Sequence, residues 1–177
     1  MNPTKEKTMN QLRFLTEQSR AVNDTGLLIL RLAVAAVFIA HGAGDVFEAG
    51  VSTNIQNYRD AGIPLATLAA PYTAYIQLVG GIVFLFGALT RPLSAGFIVV
   101  MAGALVFVHR GEPLVMQPDG SGAGFAFIMC AASIALLLVG PGRFSLDQVF
   151  AGWLARSAGS SSGSSTGTVE AKQHSSA

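Results

Sequence analysis

The sequence predicts an all-α membrane protein, a bundle of four transmembrane helices with both the N and C termini in the cytoplasm. Three observations carry that expectation. The stretch from Gly26 to Asp45 is apolar up to its last residue except for Arg31 and His41. As a helix it would rise ~30 Å, the thickness of a hydrocarbon core. Three further apolar runs follow, at about 72–89, 92–109 and 123–140. Charged residues make up only 12% of the chain against 51% apolar, about half the ~25% usual in soluble domains, and most lie in tails and connections.

The elements follow in order. Residues 1–25 form a polar cytoplasmic tail carrying Lys5, Lys7, Arg13 and Arg20. This tail, Arg31 within the first run and the three runs after it mark that run as a retained span rather than a cleaved signal peptide. In the connection from Val46 to Pro71, Val51, Ile55 and Tyr58 recur at helical spacing behind Ser52 and Thr53, residue types that cap helices. The pattern ends at Gly62-Ile63-Pro64, which predicts a short helix on the membrane surface with Arg59 and Asp60 towards water. Tyr72 and Tyr75 open the second span, where amphipathic rings favour the interface.

Thr90-Arg91-Pro92 is all that separates the second and third spans, so they form an antiparallel hairpin. The proline suits a helix start. The third span closes with His109-Arg110-Gly111, and Pro118-Asp119-Gly120 is the plainest turn in the polar loop that follows. The fourth span ends at Gly140-Pro141-Gly142, beyond which Val149, Phe150, Trp153 and Leu154 suggest an interfacial segment. Residues 156–177 are rich in serine and glycine, have no apolar face to bury, and read as disordered. The domain is therefore 26–155. Small residues such as Ala35, Gly42, Gly80 and Gly81 let membrane helices approach closely.

Charge sets the orientation. With four spans, one side holds Lys5, Lys7, Arg13, Arg20, Arg91, Arg143, Arg156 and Lys172, and the other only Arg59 and Arg110. The basic side is the cytoplasmic one. A net charge of +1 gives no basic surface for nucleic acid. The single cysteine, Cys130, lies in the fourth span and excludes an internal disulfide or a CxxC dithiol.

Ionisable groups inside spans are costly, and each calls for a reason. Arg31 lies about 7–8 Å along its helix from the cytoplasmic end, where Arg143 and Asp147 also come down. We expect Arg31 to form a structural ion pair with Asp147, the other reading being that it snorkels alone to lipid headgroups. At the outer end, His41, Asp45 one turn on, Gln77 of the second span and His109 at the close of the third reach one level. This candidate polar site admits a proton or quinone site with Asp45 orienting His41, a metal site, a haem held by the two histidines, or hydrogen bonds that only lock the bundle. No CxxCH or HExxH motif favours haem or metal.

Several motifs together resemble the DoxX family of small bacterial and archaeal integral membrane proteins. They are Leu30-Arg31-Leu32, His41-Gly42, Gly80-Gly81, Gly87-Ala88-Leu89-Thr90-Arg91 and, most specific, Gly140-Pro141-Gly142-Arg143-Phe144-Ser145-Leu146-Asp147. The resemblance spans Gly26 to Phe150. Two positions depart from it: Asp45 stands where the family often has lysine, and Gln77 where it often has glutamate. The resemblance implies a four-helix protein of the bacterial or archaeal cell membrane. For some members it also implies a subunit of a membrane oxidoreductase handling sulfur compounds, quinone or oxidative stress.

The reading that follows is an accessory subunit of a membrane-associated redox system, not catalytic alone, with its polar site near the outer face for a quinone or similar small molecule. Its partners would be the lipid bilayer with other redox proteins or further copies of itself. The alternative is a non-enzymatic membrane scaffold or small-molecule permeation protein. The topology is checked directly: with Cys130 replaced by alanine, Arg59→Cys and Arg91→Cys should label with a membrane-impermeant maleimide from opposite faces. Labelling from one face would overturn the four-span reading.

Overall fold

The computed structural model describes residues 20–161, which form helices and their connections with no strand among them. The expected N-terminal tail up to residue 19 and the chain beyond residue 161 lie outside the described residues. Helix α1 spans Arg20–Ala49, α3 Ala66–Leu85 and α4 Thr90–Val108, with 30, 20 and 19 residues. These three are long and apolar enough to cross a bilayer. The fourth apolar helix, α5 at Gly124–Val139, has 16 residues, about 24 Å of helix and shorter than a hydrocarbon core. The short α2 is Val51–Asp60 and the last helix, α6, is Leu146–Ser161.

Boundaries shift where local signals give way. Helix α1 starts at Arg20 rather than Gly26 and continues past Asp45, because no residue breaks it before Gly50, whose φ is 80°. Helix α3 starts at Ala66 and takes Pro71 inside it. A proline there removes one backbone hydrogen bond, a loss that membrane helices tolerate when neighbours cover it. Helix α2 lies where the spacing put it, with Arg59 and Asp60 exposed. It starts directly after Gly50 and uses no side-chain cap, so Ser52 and Thr53 sit within it rather than before it. Helix α6 runs to Ser161, into the segment expected to be disordered from residue 156.

The core forms around Phe97 of α4. Phe38 of α1 stacks on it with ring centroids 4.0 Å apart, and Phe84 of α3 meets it edge-on at 5.2 Å. All three rings are fully buried, with Met129 and Leu136 of α5 joining the same cluster. Helices α1 and α3 come close together at Gly42, where a Cβ would stand 2.3 Å from the backbone nitrogen of Leu78. Any larger residue at this point would force the pair apart.

At one end of the bundle two connections, that between α3 and α4 and that between α5 and α6, are tied to each other and to α1. Arg31, 2% exposed, donates to the carbonyl of Pro141 at 2.6 Å and to that of Phe144. Arg31 does not bond directly to Asp147, the partner expected for it, although the Asp147 charge still acts on it. Both Asp147 oxygens are taken up elsewhere, accepting from the backbone N–H of Leu89 at 2.8 Å and of Thr90 at 2.9 Å. Asp147 thus caps α4 from another segment, supplying the acceptor that the first turn of α4 lacks. It also steadies Leu89, which has a φ of 52° that side-chain-bearing residues rarely adopt. The carboxylate prefers these amides because they offer two fixed donors at a helix N-terminus, where negative charge is favoured. The amides of Leu146 and Asp147 donate in turn to the carbonyls of Phe86 and Gly87. Gly87 leaves the room, since a Cβ there would stand 2.7 Å from the Arg31 guanidinium.

Replacing Asp147 with alanine should lower stability by about 1–2 kcal/mol, the usual worth of a helix cap, read as a lower melting temperature in detergent. Asp147→Asn keeps one acceptor oxygen and should lose less. An unchanged melting temperature for the alanine variant would refute the cap.

Candidate functional site

At the other end of the bundle the helices do not close. The last turns of α1, the middle of α3 and the end of α4 are wound as wider π turns, at Gly44–Ala49, Ile76–Gly80 and Ala104–Val108. Such turns insert an extra residue per ring and often mark functional sites. Around them lies a cavity of about 330 Å³. Its wall is mostly apolar, from residues such as Val100, Met101, Ala104, Phe107 and Phe125.

All four residues of the expected polar site line this cavity: His41, Asp45, Gln77 and His109. Asp45 lies on the first π turn, Gln77 on the second, and His109 directly follows the third. The His41 Nδ1 faces the Val37 carbonyl at 3.0 Å, and its ring stacks on Phe125 of α5 at 5.4 Å. Asp45 is half-buried, and its backbone carbonyl accepts from the Asn54 side chain at 3.1 Å, which ties α2 to the end of α1. Gln77 is 4% exposed and its Oε1 has no hydrogen-bond partner. A buried amide oxygen in that state is uncommon and costly unless something fills the place of the partner. Among the described residues no group of three or more His, Cys, Asp or Glu is gathered closely enough to hold a metal ion.

The sequence did not single out Tyr58 of α2 or Thr73 of α3, which add polar groups to the wall beside Tyr72. Burial pushes the Tyr58 phenol above its ordinary value; a hydrogen bond with Thr73 works against that and the Asp45 charge with it. Tyr58 therefore stays protonated and can donate. Its helical spacing with Val51 and Ile55 gave it an apolar role in the sequence, and only the fold of α2 over α3 brings it to the cavity wall. Tyr75, expected with Tyr72 at the opening of the second span, is exposed and does not line the cavity.

His109 connects the cavity to the loop that follows α4. Its Nδ1 lies 2.7 Å from Glu112 Oε2, and the same oxygen accepts from the Gly122 amide at 2.8 Å. The hydrogen bond with His109, followed by that from Gly122, holds the Glu112 carboxyl below its ordinary value. Gly122 sits against the backbone of Met116, so the carboxylate fastens both ends of the loop beside the cavity.

Comparison with known proteins gives a consistent picture. A family model described as DoxX matches residues 26–110. The chain is similar to "Putative oxidoreductase CatD" of Bacillus subtilis, 31% identical over 130 residues, which covers 73% of this chain and 90% of that protein. It is similar to "Inner membrane protein YphA" of Escherichia coli, 31% identical over 145 residues, covering 79% and 99%. "Inner membrane protein YqjF" of Escherichia coli is 27% identical over 135 residues, covering 73% and 95%. No solved structure matches.

The Glu112 contacts predict a pH dependence for the loop. A carboxyl held low in the folded state adds stability that is fully present above its ordinary value of 4.5 and is lost as the pH falls through that value towards the lowered one. Hydrogen exchange of residues 110–122 should therefore be slow near neutral pH and accelerate below about 4.5 by more than the intrinsic rate change. Glu112→Gln should exchange faster at neutral pH and lose that acid step. A loop whose protection is the same in both proteins would contradict this role for Glu112.

Proposed function

The chain belongs to the DoxX family and is a multi-pass bacterial membrane protein, and from that premise we propose that it is an accessory subunit of a membrane-associated redox system. In this reading α5 completes four spans, both termini and the Arg31 knot face the cytoplasm, and the cavity lies near the outer face. The cavity takes the head group of a quinone or a similar small ring. His41, Asp45, Gln77 and His109 provide its polar contacts. Electron transfer itself belongs to a partner protein or a further copy.

One observation carries the reading. The four polar residues, drawn from three helices, line a single cavity with mostly apolar walls, and the buried Gln77 Oε1 is left without a partner. Apolar walls with a few convergent polar groups are the usual composition of a small-molecule site. The exposed lining residues Tyr72, Val99 and Val108 put lipid beside the cavity, which suits a ligand dissolved in the bilayer. The name of the Bacillus subtilis relative, "Putative oxidoreductase CatD", points in the same direction.

The test is purification in mild detergent followed by solvent extraction and mass spectrometry of bound lipid. The wild-type chain should retain a quinone in near-stoichiometric amount. His41→Ala should retain about tenfold less, the loss expected for one good hydrogen bond. Wild-type protein free of quinone, from membranes rich in it, would sink the proposal.

A further inference from the structure

The cavity carries a second layer of information in the direction of its hydrogen bonds. The ring nitrogen of His41 that faces its own helix lies against a carbonyl, which can only accept, so Nδ1 of His41 carries a proton. The Nδ1 of His109 lies against a carboxylate and must donate as well. In each neutral ring the proton is thereby fixed on Nδ1, and Nε2 is left as a lone pair on the far side of the ring. The cavity thus holds two fixed acceptors, the Nε2 atoms of the two rings. No lysine, arginine or tryptophan lines it, and its donors are hydroxyls, among them Tyr58, and the Gln77 amide.

We propose that the site discriminates between the two redox forms of its ring ligand and binds the dihydroxy, reduced form in preference to the dione. This inference rests on the reading of the cavity as a quinone site. A dione has only acceptor oxygens and meets His41 Nε2 and His109 Nε2 as one lone pair facing another. A hydroquinone brings two O–H donors to those acceptors, while its oxygens still accept from Tyr58. Unpaired acceptors inside a largely apolar pocket are penalised more than paired ones are rewarded, so the difference falls mainly on the dione. The stack of His41 on Phe125 holds the imidazole plane, which keeps Nε2 directed away from its own helix.

The experiment is anaerobic titration calorimetry of the full chain in lipid nanodiscs with decyl-1,4-benzoquinone and, separately, its hydroquinone. The hydroquinone should bind about tenfold more tightly, the worth of one or two well-formed hydrogen bonds. His41→Phe keeps a ring against Phe125 but removes the lone pair, and should bring the ratio towards one. Tyr58→Phe removes a donor and should move the ratio the other way, by weakening the dione. Equal binding of the two forms, or tighter binding of the dione, overturns the preference and leaves the quinone site standing. A preference that persists in both His41→Phe and His109→Phe overturns the assignment to these rings. Failure of the wild-type chain to bind either form overturns this inference and the proposed function together.

Discussion

Arg31 is the constraint around which the bundle is arranged. A guanidinium on a membrane helix must find acceptors within the protein or reach water. Here it reaches inward, to the carbonyls of Pro141 and Phe144. Those carbonyls are available because Gly140 and Gly142 adopt positive φ and turn the chain back after α5. Gly87 opens the third side, since any side chain there would occupy the place of the guanidinium. One charge on the first helix thus requires a bend after the fifth and a glycine after the third.

That end, once tied, makes the other end free to differ. Asp147 caps α4 and holds the hairpin turn at Leu89. The α3–α4 hairpin is fixed where it starts, and the three buried phenylalanines fix its middle. Beyond them the helices wind into π turns and separate. A packed core transmits position well but leaves little room, so space for a ligand arises only where the winding changes. The π turns give that space and also bring Asp45 and Gln77 round to it.

The cavity's polarity follows from the same geometry. The Nδ1 of His41 faces a helical carbonyl and that of His109 faces Glu112, so both rings are held from outside the cavity. Tyr58 arrives on α2, a helix placed by Gly50 at one end and Gly62 at the other. Polar groups in such a pocket are restrained by partners outside it, and restrained groups can tell one ligand form from another.

By itself the sequence determined that the chain is helical and apolar, where its long helices and α2 lie, and that His41, Asp45, Gln77 and His109 share a level. Length and helical rise suffice for that, because depth along an apolar helix is proportional to residue number. Opposite charges at one level suggested that Arg31 pairs with Asp147, and the tertiary structure decided otherwise, since backbone carbonyls and amides carry no signature in the residue names. The same blindness applies to the π turns, the inward turn of Tyr58 and the Glu112 tie between His109 and Gly122. Each depends on how far a helix rotates over its neighbour, and that rotation is settled by packing at Gly42 and around Phe97 rather than by any local pattern.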